Sequence, residues 1–121
     1  MAFEASAPPA PETEFDTFLK LDIRVGTVRS AAPLDGLRKP SMKLVIDFGE
    51  GVGERKSVAQ ITERYVHDDL IGRQVMAVIN FPARQIGSFR SEVLTLGAAD
   101  DAGAICLVGP DDALPNGARL A

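Results

Sequence analysis

The chain has 121 residues, of which 45% are hydrophobic, and its formal net charge at neutral pH is −4. This length is close to the usual size of a single domain. No apolar run approaches the roughly 18 residues that a membrane-spanning helix requires, and the single cysteine, Cys106, excludes an intramolecular disulfide. The first 15 residues also lack the basic start and the apolar stretch of a secretory signal. We therefore expect one soluble, cytoplasmic domain without membrane insertion.

The charges are unevenly distributed along the chain. Residues 1–16 contain four acids and no base, and residues 98–121 contain four acids and one base. The centre, residues 17–97, has 12 bases against 9 acids, so it is basic by three charges. A mildly basic centre permits a face that contacts phosphate but does not require one, because ordinary mixed surface charge gives the same composition.

The first predicted element is a short helix. Residues 1–12 are rich in Ala, Pro and Glu and are predicted to form a disordered lead, which leaves a single domain over residues 13–121. The segment Phe15–Leu19 then places apolar side chains on one helical face, with Thr13 or Asp16 as the expected N-cap. This amphipathic helix needs a surface to pack against.

Three strands follow the helix. Asp22–Ala31 alternates until Gly26 interrupts the pattern, which predicts a long strand with a bulge or bend at that glycine. Lys43–Gly49 alternates cleanly, and Arg55–Ile61 forms the third strand after a hairpin turn at Glu50–Gly53.

A short helix and two further strands complete the pattern. Thr62–Gly72 predicts the helix, and Gln74–Phe81 is apolar on both faces, as in a strand that is covered on both sides. The last strand pattern is divided between Ser91–Gly97 and Ala104–Gly109, with a turn at Asp100–Gly103. The whole order indicates an all-β fold with short helices: a five-stranded Greek-key OB-fold barrel with a short N-terminal helix and a C-terminal extension. The outer face of such barrels commonly binds oligonucleotides or other extended chains.

The stretch NFPARQIGSFRSEVLTLG, after the fourth strand, is too long and too apolar to be a simple connection. Pro82 ends the preceding strand and Gly87 permits a turn. We therefore predict a projecting loop in which Arg84, Ile86 and Phe89 stand out from the barrel. The chain is predicted to return to strand at Ser91.

The apolar and polar residues of this stretch allow two interpretations. Phe81, Ile86 and Phe89 would form the apolar part of a groove, or the phenylalanines would close one end of the barrel. Because large apolar residues are usually buried, composition favours the core for Phe81, whereas Phe89 fits either interpretation. The pair Ser91 and Glu92 would bind a ligand or tie down the turn, and a polar pair at a strand entry favours the structural role.

A second candidate region is basic and polar. Lys39 and Lys43 belong to a basic cluster around the loop between the first two strands, one of the loops that OB folds use for ligands. A solvated loop is the alternative. Gln60 and Thr62 are predicted to share one face of the third strand and would line the same groove.

Catalytic and metal-binding patterns are not recognisable. His67 stands beside two aspartates without a serine or cysteine in a nucleophile elbow, so we expect a surface residue in the short helix. One histidine and one cysteine do not supply the three or four ligands of a zinc site. Cys106 lies in an apolar strand and is expected to be a buried small hydrophobe. We expect no enzyme activity, no metal and no cofactor.

Four motifs in order, FLKLDIRVGTV, KPSMKLVIDFG, SVAQIT and VINFPARQIGSFRSEVLTLG, resemble the CsaA family, which belongs to the tRNA-binding-domain group of OB folds. The resemblance implies a homodimeric, non-enzymatic chaperone that binds unfolded or export-bound polypeptides, and it implies tRNA as the ligand of related proteins. Ala83 and Gln85 depart from the family pattern, where a second proline and a basic residue are frequent. The ligand-binding positions implied by the resemblance are Lys39, Ser41, Lys43, Gln60, Thr62, Asn80, Phe81, Arg84, Ile86, Phe89, Ser91 and Glu92.

Three functions therefore remain open. A polypeptide-binding chaperone dimer is the first hypothesis, a tRNA-binding protein is the second, and a pure dimerisation module that assembles other proteins is the third. The dimer would use the helix at Phe15–Leu19 and the apolar end Leu114–Ala121, although both segments could instead fold back on their own subunit.

Overall fold

The computed structural model describes residues 3–121. This part of the chain has two short helices and nine strands, and the strands pair in antiparallel fashion. The elements are α1 (Phe15–Lys20), β1 (Ile23–Leu34), β2 (Ser41–Asp47), β3 (Glu54–Ala59), α2 (His67–Leu70), β4 (Gln74–Val78), β5 (Arg84–Ile86), β6 (Phe89–Ser91), β7 (Leu94–Thr95), β8 (Gly97–Ala99) and β9 (Ile105–Leu107).

Five strands form the barrel. They are antiparallel in the order β3-β2-β1-β4-β7, so β3 and β7 are the two outer strands of one curled sheet. The two ends meet where the backbone N–H of Glu92 donates to the carbonyl of Lys56 at 2.7 Å, and where the hydroxyls of Ser57 and Thr95 lie 2.8 Å apart. The predicted five-stranded OB-type barrel is therefore confirmed. We call the junction of β3 with residues 91–95 the seam.

The barrel core follows the alternation of β2. Leu44, Ile46 and Phe48 are fully buried, as their period-2 spacing predicts, and they pack with Val28 and Val75 from neighbouring strands. Burying side chains of this size contributes about 1.5–3 kcal/mol each relative to an exposed position.

A second apolar cluster explains why β1 and β4 are covered on both faces. Ile23, Val25, Met76 and Val78 form its buried members, and Phe18 of α1 packs against them. The end of the chain covers the same face, where it adds backbone hydrogen bonds to the first residues of β1. The expectation that the fourth strand is covered on both sides is confirmed.

The C-terminal residues are hydrogen-bonded to the end of α1 and to the start of β1. The backbone N–H of Leu120 donates to the Ile23 carbonyl at 2.8 Å. The guanidinium of Arg119 donates to the carbonyls of Leu19 and Leu21, at 2.9 and 3.1 Å, and so supplies partners at the end of α1. The C-terminal segment thus folds back on its own subunit, which was one of the two expected arrangements.

Several local predictions were wrong. The bulge predicted at Gly26 is wrong, because the register shift of β1 lies between Val28 and Ser30. Gly26 instead faces the core, where a Cβ atom would lie 2.6 Å from Ile46 Cγ2 and 2.7 Å from Phe48 Cδ1. The glycine therefore serves close packing, which has the same sequence signature as a bulge.

The element boundaries also differ. The third strand ends at Ala59 and the second helix covers only His67–Leu70, because the residues between them form turns rather than a longer helix. Glu14 occupies the N-cap position of α1 without a side-chain hydrogen bond, so the expected cap by Thr13 or Asp16 is wrong. Of the predicted disordered lead, residues 1 and 2 lie outside the described residues, and residues 3–12 are exposed.

Candidate functional site

The candidate site begins on the outer face of β2 and β3. Because Leu44 and Ile46 face the core, their neighbours Lys43 and Val45 face outward. Cross-strand pairing places Val58 beside Lys43 and Lys56 beside Val45. These four residues form a half-buried patch in which lysines and valines alternate at the corners, which we call the outer wall.

A hairpin projects beside the outer wall. It consists of β5 and β6, with Ile86 opposite Phe89 across a two-residue turn. Gly87 in this turn has φ of 58°, a conformation that favours glycine. A Cβ on Gly87 would approach Leu37 Cδ2 to 2.9 Å, so the loop between β1 and β2 touches the tip of the hairpin. The predicted projecting loop is thus a regular hairpin that returns to strand at Phe89, two residues earlier than expected.

Phe89 anchors the hairpin to the outer wall. The ammonium groups of Lys43 and Lys56 lie 5.9 and 5.3 Å from the centre of its ring. Cation–π contacts of this kind contribute about 0.5–1 kcal/mol each at exposed sites. The ring therefore packs on the outer wall rather than in the barrel core, so the interpretation in which Phe89 closes one end of the barrel is wrong, and its place in a ligand groove stays a prediction.

A hollow of about 220 Å³ lies between the hairpin and the barrel. A cavity of about 150 Å³ is already sufficient for a benzene ring, so this hollow can take one large side chain. Most of its lining is apolar, and two charged groups, Arg84 and Glu92, stand among the apolar walls. The lining residues are Val58, Phe81, Pro82, Arg84, Ile86, Ser91, Glu92, Val93 and Leu94.

Ser91 and Glu92 hold the seam. The backbone N–H of Lys56 donates to Glu92 Oε1 at 2.9 Å, and that of Val58 donates to Ser91 Oγ at 3.1 Å. The Ser91 hydroxyl in turn donates to the Val93 carbonyl. These side chains take the place that a neighbouring strand would have on β3, so both residues have a structural role while they also line the hollow.

Asn80 and Phe81 have different surroundings: the Asn80 side chain is hydrogen-bonded within the protein, and Phe81 is about half-exposed. The side chain of Asn80 accepts from the Asp22 N–H at 2.9 Å and donates to the Lys20 carbonyl at 2.7 Å, so it fastens α1 to the end of β4. Phe81 keeps 45% of its surface exposed at the edge of the hollow. The sequence interpretation that favoured the core for Phe81 was therefore wrong, since β4 ends at Val78 and the chain leaves the barrel before Phe81.

The remaining predicted positions lie outside the hollow. Ser41 is buried and its hydroxyl donates to the Lys39 carbonyl, while Lys39 itself is exposed in the loop that touches the hairpin. Gln60 and Thr62 follow the end of β3 and are therefore not on a shared strand face. The structure thus gathers five predicted residues around the hollow and places two others, Lys43 and Phe89, directly beside it; the five are Phe81, Arg84, Ile86, Ser91 and Glu92.

Sequence reasoning missed four residues of the outer wall or of the lining of the hollow. Lys56 and Val58 share the parity of the outward positions of the third strand, so the alternation that located the strand could also have found them. Val93 and Leu94 line the hollow because the chain is irregular between β6 and β7. No periodicity predicts an irregular segment of this kind.

Other features of the described chain do not add chemistry to this site. Within residues 3–121, no three or more His, Cys, Asp or Glu side chains converge as metal ligands. None of the helices there is both long and apolar enough to cross a membrane. His67 lies at the start of α2 on the surface, as expected, with Nε2 3.5 Å from an Asp68 carboxylate oxygen. Cys106 is only half-buried rather than buried, with its sulfur 3.8 Å from the Tyr65 hydroxyl.

Two carboxyl groups with displaced pKa values lie away from the hollow. The pKa of Asp100 is lowered because the Arg64 side chain and the N–H groups of Ala104 and Ala102 donate to its carboxylate. The Gly49 N–H and then the Arg29 side chain lower the pKa of Asp47 in the same way. Both groups stabilise turns.

Comparison with known proteins agrees with this architecture. Residues 23–119 match the family described as "Putative tRNA binding domain". The structure of chaperone CsaA from Bacillus anthracis is 45% identical, with a TM-score of 0.86, over 92% of this chain and 100% of that one. The CsaA chaperone protein from Picrophilus torridus is 42% identical, with a TM-score of 0.84, over 91% of this chain and 100% of that one.

A larger class of relatives contains the same unit as a small part. Methionine–tRNA ligase from Porphyromonas gingivalis is 33% identical over 119 residues, which are 98% of this chain and 17% of the ligase. The chain therefore spans about a sixth of the length of the curated relatives that it matches. The resemblance inferred from the four sequence motifs is confirmed.

Proposed function

Since the chain belongs to the tRNA-binding-domain family and, within it, to the CsaA family, we propose that it is a non-enzymatic chaperone that binds unfolded or export-bound polypeptides. In this proposal, two copies form a cytoplasmic homodimer, and each copy offers its own site. The twelve positions implied by the resemblance remain the proposed contacts, with Lys56 and Val58 added from the outer wall.

The hollow beside Phe81 is the observation that carries the proposal. It is open to solvent, mostly apolar, and large enough for one side chain. Phe81 and Leu94, which both line it, are about half-exposed, so the hollow continues into an apolar patch on the surface. An unfolded polypeptide differs from a folded one in offering such side chains together with free backbone groups.

A paired titration tests the polypeptide hypothesis. The protein is titrated with a reduced and alkylated, permanently unfolded protein at low and at moderate salt. We expect binding that persists at moderate salt, because apolar burial is not screened. The Phe81→Ser variant should weaken binding about ten-fold or more, since burial of one such side chain contributes about 1.5–3 kcal/mol. Val66→Ser, another exposed apolar residue next to α2, is the matched control and should bind as the wild type does.

tRNA binding is the second candidate function. Lys43 and Lys56 stand on the outer wall and Arg84 lines the hollow beside it, while the tRNA-binding-domain family matches residues 23–119. For a single-stranded segment, affinity should fall with log salt at a slope of roughly −0.7 for each phosphate contact. A gel shift with total tRNA at low salt tests this candidate, and the absence of any retardation would remove it. Co-purification with one protein partner, with neither tRNA nor polypeptide bound, would instead support the assembly module.

A further inference from the structure

The outer edge of β5 has no strand partner among residues 3–121. β5 pairs only with β6, and the two form a separate two-stranded sheet. Residues that close a two-residue hairpin turn, here Ile86 and Phe89, exchange both backbone hydrogen bonds, and the next pair along the hairpin does not. The backbone N–H and C=O of Gln85 therefore point away from β6, toward solvent.

The same edge borders the hollow. The side chains of Arg84 and Ile86 line it, whereas Gln85 is exposed and donates from Nε2 to the Gly87 carbonyl. In adjacent strands, residues that face each other point their side chains to the same side of the sheet. A strand laid along β5 would therefore direct the side chains that oppose Arg84 and Ile86 toward the hollow.

We propose that the polypeptide ligand docks as a third strand on the outer edge of β5, with its backbone bonded to Gln85 and one large apolar side chain in the hollow. This inference rests on the proposed function and names how that site recognises a chain. Backbone pairing is independent of sequence, which is what a protein that receives many different unfolded segments requires.

The charges around the hollow define the preferred ligand further. Lys43, Lys56 and Arg84 are positive, and the carboxylate in the lining of the hollow, Glu92, already accepts from the Lys56 N–H. These four side chains together are basic by two charges. The ligand is an extended segment with an apolar anchor and acidic neighbours, because opposite charges suppress the wrong partners and accelerate encounter.

An ester scan of a ligand tests the backbone pairing directly. The probe is a short synthetic peptide with one phenylalanine flanked by glycines and glutamates. Each amide next to the phenylalanine is replaced in turn by an ester, which removes one N–H and leaves every side chain in place. We expect one ester position to weaken binding about three- to ten-fold, as for loss of a single hydrogen bond, and the other positions to have no effect.

A protein variant provides the reciprocal test. Gln85→Pro removes the N–H of Gln85 but leaves the lining of the hollow, and the extended Arg84 before it is compatible with proline. Gln85→Ala is the matched control, since it loses the same side chain and keeps the N–H. We expect the proline variant to bind the all-amide peptide at least about five-fold more weakly than the alanine variant, because it loses the bond that the Gln85 N–H donates to the ligand.

The outcomes separate the two levels of the proposal. If the wild type binds the amide peptide and all esters within two-fold, strand addition is overturned and the proposed function stands. If a peptide with lysines in place of the glutamates binds more tightly, the acidic preference is overturned. If the wild type binds neither the peptide nor the unfolded protein, the proposed function itself fails.

Discussion

At the scale of single residues, Glu92 carries a role that its place in the sequence only partly indicates. Its carboxylate accepts from the Lys56 N–H across the seam. We predict that Glu92→Ala destabilises the barrel by about 1–3 kcal/mol, because a part-buried N–H loses its partner. Glu92→Gln keeps an oxygen acceptor at the same reach and should lose less. Urea unfolding of the three proteins measures the differences, and equal stability of the alanine and wild-type proteins would contradict the assignment.

Gly26 gives a second residue-scale prediction. A Cβ there would collide with Ile46 and Phe48 in the buried core, so Gly26→Ala should cost about 1–3 kcal/mol of unfolding free energy by overpacking. Gly51→Ala is the control, because an added Cβ at Gly51 meets nothing within 4 Å. Thermal unfolding of both variants checks the prediction. If the Gly26 variant were as stable as the Gly51 variant, the core would have accommodated the added methyl group, and the prediction would be wrong.

These residues also show what sequence patterns can and cannot predict. The alternation of Lys43–Gly49 puts Leu44, Ile46 and Phe48 on one strand face, because the period follows directly from strand geometry, and that face is the buried one. Gly26 was located as special, but sequence does not distinguish a bulge from close packing across a barrel. Phe81 was assigned to the core because its residue type is usually buried, and only the point where β4 ends decides otherwise.

At the scale of elements, α1 depends on tertiary fastening. A helix of six residues is too short to be stable alone. Arg119 bonds the carbonyls of Leu19 and Leu21, and Asn80 bonds that of Lys20. We predict that Arg119→Ala raises the hydrogen-exchange rate of the α1 amides several-fold and leaves the β2 amides unchanged. Arg119→Lys keeps the charge but not the two-pronged donor, and it should behave like the alanine variant. Unaltered α1 exchange in both variants would refute the fastening.

The turn between β8 and β9 makes stability depend on pH. The pKa of Asp100 is below its ordinary value of 3.8, because Arg64 and two backbone N–H groups stabilise the carboxylate. A folded-state pKa below the unfolded value adds stability above the unfolded pKa, and this stability is lost as the pH falls through the folded pKa. Asp100→Asn should therefore be less stable than the wild type at neutral pH, with the difference shrinking below about pH 4. Unfolding curves across this range, with Asp101→Asn as the control, measure it. A pH-independent difference would contradict the mechanism.

Element boundaries were harder to predict than element types. The third strand and second helix were both assigned too many residues, because the turns between Gln60 and Val66 contain ordinary residues without glycine or proline. The hairpin was predicted as a loop, since its strands are only three residues long and too short for periodicity to be recognised. The hairpin is stabilised by the contacts of Phe89 with the outer wall, which its own sequence does not reveal.

At the scale of the whole molecule, exposed apolar residues predict association. Phe15 is 71% and Leu19 50% exposed on α1, and Leu120 lies near them at the end of the chain. We predict that the wild type has twice its 12.9 kDa mass in light scattering and that a Phe15→Ser, Leu19→Ser double variant has the single mass. Phe3→Ser, which changes an exposed phenylalanine outside the helix, is the control. A wild type at 12.9 kDa would contradict the dimer.

The seam has a consequence for the motions of the barrel. Ordinary strand pairs are joined by a continuous ladder of backbone hydrogen bonds. The junction of β3 with residues 91–95 instead depends partly on the Ser91 hydroxyl and the Glu92 carboxylate. Because side chains can rotate away from the groups that they bond, we expect the seam to open more readily than the continuous ladders between β1, β2 and β4. Because the hollow lies on the same line, each such breathing event would widen the space under the hairpin. Under the proposed function, entry of a bulky polypeptide side chain would then be limited by how often the barrel loosens there.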